Sequence, residues 1–125
     1  MQTQILIGLF FCHLLGDYTP LSTEWMLNAK RVGKPLYPIF VHALVHALLM
    51  LVLLTVMFKL AMVKLFVLFG IQLITHFFID VCKGRAGAWF PILQSPNNKW
   101  YWIVFGIDQY LHTLVIIAMS FYATS

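Results

Sequence analysis

The sequence predicts an all-α polytopic membrane bundle: four transmembrane helices, with a short interfacial helix after the first. Three observations carry this reading. The 125 residues are 62% hydrophobic and only 10% charged, where an average soluble domain is about 25% charged. Mean hydropathy is strongly positive, so polar groups cannot cover a water-facing surface. Four apolar runs also stand out, separated by segments that hold most of the Pro, Lys and Arg. They are continuous rather than alternating, which excludes the strands of a β-barrel. The length suits one domain, 1–125.

Span 1 is read at 3–18. At 1.5 Å per residue it reaches about 24 Å, short of a hydrocarbon core. It has no Lys or Arg before its apolar run and no small-residue cleavage site. It is therefore expected to be a retained span and not a secretory signal. A short helix near 22–30 follows, with Trp25 and Met26 at the interface. Gly33-Lys34-Pro35 breaks it. Spans 2, 3 and 4 are read at 38–58, 63–82 and 100–122, each about 30 Å long. The link near 59–62 is short enough to force a tight hairpin between spans 2 and 3. Residues 83–99, with Gly84, Gly87, Pro91 and Pro96, read as a loop. Asn97 or Asn98 is placed to cap span 4, and KWYW at its start is an interfacial anchor.

Basic residues orient the bundle. Lys30, Arg31, Lys34, Lys83, Arg85 and Lys99 lie in the two long connections, against Lys59 and Lys64 on the other side. The positive-inside rule places both long connections in the cytoplasm and both termini outside. The net charge of +4 comes from these scattered residues and not from one basic face, so nucleic acid is not expected as a partner. Cys12 and Cys82 lie in different spans without a C-x-x-C partner, and no disulfide is expected.

The chemistry lies in the remaining polar residues. His13 and Asp17 are in span 1, His42 and His46 in span 2, His76 and Asp80 in span 3, and Asp108 and His112 in span 4. These are all five His and all three Asp. Each pair is spaced i,i+4 and shares one helix face. The orientation drawn from Lys and Arg alone brings all four pairs into one leaflet. A lone His in a helix is usually a hydrogen-bonded structural residue, and polar groups can glue membrane helices. Eight together are harder to explain that way, because a central Asp alone costs roughly 2.5–3.5 kcal/mol at mid-membrane. No Lys or Arg stands in the same segments to offset the Asp charges, and a divalent metal would. Zinc fits the His/Asp balance better than iron or manganese. One or two ions match the inventory. Gln72, Thr75 and Gln109 read as supporting partners or interhelical hydrogen bonds. Glu24 and Asn28 read as solvated, and Lys30, Arg31, Lys83 and Arg85 as topology determinants, the alternative being that they hold an anionic head group above the site. No G-x-S-x-G, P-loop or H-E-x-x-H motif is present.

The fragments HLLGDY, TEWM with the N and K after it, HALVHALL, HFFIDVCK and DQYLH, in that order, carry a resemblance. They run from His13 to His112 and are similar to the bacterial membrane family called domain of unknown function 3307. The resemblance implies a small polytopic protein of the bacterial inner membrane and brings no established activity.

From the residues, the leading expectation is a metal-dependent hydrolase acting on a lipid or amphiphile near the cytoplasmic leaflet. All eight His and Asp are candidate ligands. Asp17, Asp80 and Asp108 are also candidates for a bridge or a general base. Two other classes compete: a metal-ion or proton transporter or channel, and a metal-clamped structural membrane protein. The partner expected in every case is the lipid bilayer, and self-association is compatible with each.

Overall fold

A computed structural model describes residues 1–125. Five α-helices account for nearly all of it: α1 (Gln2–Tyr18), α2 (Glu24–Val32), α3 (Leu36–Leu53), α4 (Met62–Trp89) and α5 (Lys99–Thr124). A π-helical turn, Leu54–Phe58, extends α3, and a 3-10 turn, Pro91–Gln94, precedes α5. There is no strand. Helix α1 packs on α3 and α5, and α4 packs on α3 and α5, so the four form a closed square. The short α2 lies across one end, against α3 and α4.

Leu36–Phe58, Met62–Trp89 and Lys99–Thr124 are long and apolar enough to cross a membrane. Helix α1, at 17 residues, is shorter, as its apolar run predicts. The surface is inverted relative to a water-soluble protein. Val63, Phe66, Ile74, Phe78 and Phe121 face outward, while His42, His46, His76, Asp80, Asp108 and His112 are buried. Burying polar groups and exposing large apolar ones is costly in water and suits a lipid solvent.

Each long helix buries one stripe that changes character along its length. On α4 it reads Leu65, Leu68, Gln72, His76, Asp80, Gly84, Gly87. On α3 it runs backwards, from Ile39, His42 and His46 to Met50. Alternate helices run in opposite directions, so the apolar ends meet. Ile5, Leu9, Met50, Leu54, Leu65, Leu68, Ile116, Met119 and Ala123 form one core at the end that holds both termini. The Lys64 ammonium donates there to the carbonyls of Ala123 and Ser125. The polar ends meet at the opposite end, beneath α2. Ala43 and Ala47 on α3 are fully buried, which allows close helix approach.

The ends of the elements follow their residues. The Thr23 hydroxyl accepts from the Met26 N–H at 3.4 Å and starts α2. Gly33, at φ 71°, closes α2 in the left-handed region and donates to the Ala29 carbonyl at 2.8 Å. Asn98, as expected, caps α5 by accepting from the Trp100 N–H at 3.0 Å.

One expectation is corrected. Residues 83–89 are not loop but the last two turns of α4. Gly84 and Gly87 read as helix breakers, yet both face neighbouring backbone. A Cβ on Gly84 would stand 2.7 Å from the Gly33 Cα, and one on Gly87 would stand 3.4 Å from the Arg31 carbonyl oxygen. These glycines let α2 lie on α4, and that packing overrides their low helix propensity.

Candidate metal centre

All four i,i+4 pairs point into the bundle and meet at one level. Asp17 is the first hub. Its Oδ1 lies 2.9 Å from His42 Nε2, 3.0 Å from His46 Nε2 and 4.0 Å from His76 Nε2. Its Oδ2 lies 3.3 Å from His13 Nε2. Asp80 is the second hub, with Oδ2 at 3.3 Å from His76 Nε2 and 3.6 Å from His42 Nε2. Its Oδ1 is 3.5 Å from His112 Nε2, which in turn is 3.7 Å from Asp108 Oδ1. The rings of His46 and His76 stack at 3.8 Å. Three groups have ligand atoms all within 4.8 Å of one another: Asp17 with His42, His46 and His76; His13 with His76 and His112; and Asp80 with Asp108 and His112.

Two lysines missing from the sequence-based site enter it. The Lys30 ammonium stands 3.5 Å from Asp17 Oδ1, 3.3 Å from Asp80 Oδ2 and 3.0 Å from His42 Nε2. Lys83 is 3.4 Å from Asp108 Oδ2. The expectation that no basic residue offsets the Asp charges is thereby corrected: Lys30 reaches down from α2, and Lys83 from the extra turns of α4. Burial pulls the pKa of Lys30 down, but Asp80 and Asp17 outweigh it, and the value ends above the ordinary lysine range. The amine is therefore a fixed cation. A signal for it exists in the sequence. Met26 and Ala29 are buried on α2, and Lys30, one turn beyond Met26, shares their face.

Even with the lysines, the cluster is not satisfied by its own hydrogen bonds. A neutral imidazole nitrogen carries either a proton or a lone pair. His42 Nε2 meets a carboxylate oxygen at 2.9 Å, which wants a proton, and an ammonium at 3.0 Å, which wants a lone pair. It cannot serve both. His76 Nε2, His112 Nε2 and Asp108 Oδ1 are buried with no hydrogen-bond partner, and Asp80 Oδ2 has only its ion-pair contacts, the closest at 3.3 Å with Lys30 and His76. Ligand atoms this close together could hold a metal ion.

The supporting residues divide. Gln72 reaches His76 Nδ1 at 3.4 Å. The Gln109 amide donates to Asp108 Oδ2 at 2.9 Å, and its Oε1 lies 3.4 Å from His13 Nε2. Thr75, however, only donates back to the Ile71 carbonyl at 2.6 Å and takes no part in the site. Toward α2 the cluster opens into a cleft of about 320 Å³ whose lining includes Asp17, Lys30, Asp80, Lys83 and Asp108. Toward the termini it ends at a cavity of about 10 Å³ above Leu9, Met50, Ile116 and Met119. The site is thus open at one end and sealed by apolar side chains at the other.

The family model described as "Protein of unknown function (DUF3307)" matches residues 5–125. The chain belongs to this family. The match covers all eight clustered His and Asp together with Lys30 and Lys83. No curated protein and no solved structure matches the chain. For this member of the 3307 family, function therefore rests on its own residues.

Proposed function

We propose that this protein is a membrane-embedded metal-binding hydrolase that acts on a lipid or amphiphile at the cytoplasmic face of a bacterial inner membrane. The observation that carries the reading is the group of Asp17, His42, His46 and His76, whose ligand atoms lie within 4.8 Å of one another inside the bundle. Three imidazoles and a carboxylate are a donor set suited to zinc, with iron or manganese as further candidates. Asp80, Asp108 and His112 offer a second position, and His76 lies near enough to serve either. All four long helices cross the bilayer in this reading, and α1, the shortest, brings the polar cleft close to the head groups. The six basic residues in the connections at that end of the bundle orient it inward.

A bound divalent ion lowers the pKa of its water and polarises the scissile group. The residues of the chain supply the rest. Whichever of Asp17, Asp80 and Asp108 is free of the ion is placed to take the proton of the attacking water. Lys30 and Lys83 stand where negative charge develops on the substrate oxygen. The apolar seal beyond His46 and His76 favours a reaction site over a transport path, which needs polar groups through both halves.

The test is metal content by mass spectrometry of purified protein, beside a lipid-hydrolysis screen. Wild type is expected to hold one or two ions per chain, and His46→Ala and Asp80→Asn to lose them at near-normal expression. Full occupancy in both variants would make the cluster structural glue. Metal without hydrolysis, but with metal-dependent melting, would make it a clamp.

A further inference from the structure

Two openings in the protein share lining residues. The cleft above the metal centre is lined in part by Lys30, Arg31 and Lys83. A second hollow, also about 320 Å³, runs along the outside of the bundle between α4 and α5. Its walls are Phe78, Ile79 and Cys82 on one side and Ile107 and Leu111 on the other. Lys83, Val104 and Asp108 line both openings, so the groove and the cleft adjoin at these residues. Phe78 and Ile107 are more than half exposed, and the groove lies open to the lipid along its length.

Resting on the metal-centre reading above, we propose that the substrate is a long-chain phosphate amphiphile that comes in sideways from the bilayer. Its chain lies in the α4–α5 groove and its anionic head lies in the cleft. The two openings differ in chemistry as the two ends of such a molecule do. The groove is apolar until it reaches the Lys83–Asp108 pair, 3.4 Å apart. A second copy of this chain would present an apolar helix, and would leave that charged end facing hydrocarbon. The cleft holds basic groups with spare hydrogen-bonding capacity. The Arg31 guanidinium donates to Asn28 Oδ1 at 3.1 Å and has no carboxylate partner. The Lys83 ammonium has one carboxylate and lies 5.0 Å from the centre of the Phe105 ring. A planar guanidinium and an ammonium lining one cleft suit phosphate oxygens. Asp17, Asp80 and Asp108 at the floor would repel such a head unless cations offset them. In this pose the phosphate would face the residues that would hold an ion, and the chain would lie against lipid-facing helix surface.

The test uses full-length, zinc-loaded protein in a neutral maltoside detergent. The probe is lysophosphatidic acid with a photoreactive diazirine in its chain. Cross-links are expected to map to 78–82 and 104–111. Unlabelled lysophosphatidic acid should compete at least about tenfold better than monoacylglycerol of the same chain length. Ile107→Trp, and separately Leu111→Trp, fill a lipid-facing groove and should cut specific labelling about tenfold or more. The paired change Arg31→Gln with Lys83→Gln should weaken competition by lysophosphatidic acid and not by monoacylglycerol. Equal competition by the two lipids, labelling spread evenly over the outer helix faces, or labelling unchanged by both Trp variants would each overturn the proposal. Metal content is measured on the same samples. Zinc retained without the labelling pattern sinks the substrate assignment alone. The pattern persisting in protein that never binds metal sinks the metal centre and leaves the lipid site.

Discussion

The imidazole of His46 on α3 lies flat against the backbone of Gly16 on α1. A Cβ at residue 16 would stand 2.5 Å from Nε2 and 2.6 Å from Nδ1 of that ring. His46 can reach Asp17 Oδ1 at 3.0 Å only because residue 16 has no side chain. Gly16→Ala is therefore expected to push the ring away and to reduce bound metal at least tenfold, the upper range of changes that act on ligand orientation. Expression should fall little, since alanine favours the helix. Metal content and melting temperature on the same preparation check this. Unchanged metal content would show that His46 is not a ligand.

Lys30 supplies the second prediction. Its ammonium lies between Asp17 and Asp80, and removing one partner of a buried ion pair costs roughly 3–5 kcal/mol. Lys30→Met, of similar length, should lower the melting temperature of chelator-treated protein by several degrees. Added zinc should restore more of that loss in the variant than it adds to wild type, because an ion then provides the missing charge. Equal zinc shifts in the two proteins would separate Lys30 from the metal centre.

The i,i+4 pairs were legible because helix periodicity fixes which residues share a face, and the basic residues fixed which ends lie together. His13, Asp17, His42, His46, His76, Asp80, Asp108 and His112 accordingly meet as their spacing predicts. Lys30 and Lys83 were not legible by the same rule. Lys30 belongs to a nine-residue helix that crosses the bundle end, and its direction depends on how Gly33 seats against Gly84. Lys83 reaches Asp108 because α4 continues past Cys82, and local propensity at Gly84 and Gly87 argues against that continuation. Both misses share one cause. A glycine that breaks an isolated helix can also be the residue that lets two backbones touch, and only tertiary contact tells the two apart.

The Gly84 contact gives the third prediction. Besides the Gly33 Cα, a Cβ there would collide with the Lys30 carbonyl and the Gly33 N–H. These are backbone atoms and cannot rotate away. Gly84→Ala should lift α2 from α4 and draw Lys30 out of the cluster. We expect destabilisation of about 1–3 kcal/mol, the usual range for overpacking, together with faster proteolysis in the 19–35 segment. A variant as stable and as protease-resistant as wild type would contradict the close α2–α4 approach. Gly70→Ala is the control, since a Cβ there meets nothing within 4 Å.

Orientation is the last prediction, and it decides from which leaflet an amphiphile would reach the centre. The polar cleft, α2 and the aromatic anchor Trp100–Trp102 share one end of the bundle. Ala61, Lys64 and both termini share the other. Lys30, Arg31, Lys34, Lys83, Arg85 and Lys99 stand at the first end, and Lys59 and Lys64 at the second, so the first should be cytoplasmic. In a background with Cys12 and Cys82 replaced by alanine, Ala61→Cys and Asn97→Cys each introduce one thiol at an exposed position. A membrane-impermeant maleimide added to intact cells should label residue 61 and spare residue 97 until the membrane is opened. Labelling of 97 and not of 61 would reverse the bundle and place the metal centre at the outer leaflet. Six basic residues would then have crossed the membrane against the bias that normally retains them. Labelling of both from outside would indicate a mixed orientation, and the centre would serve both leaflets.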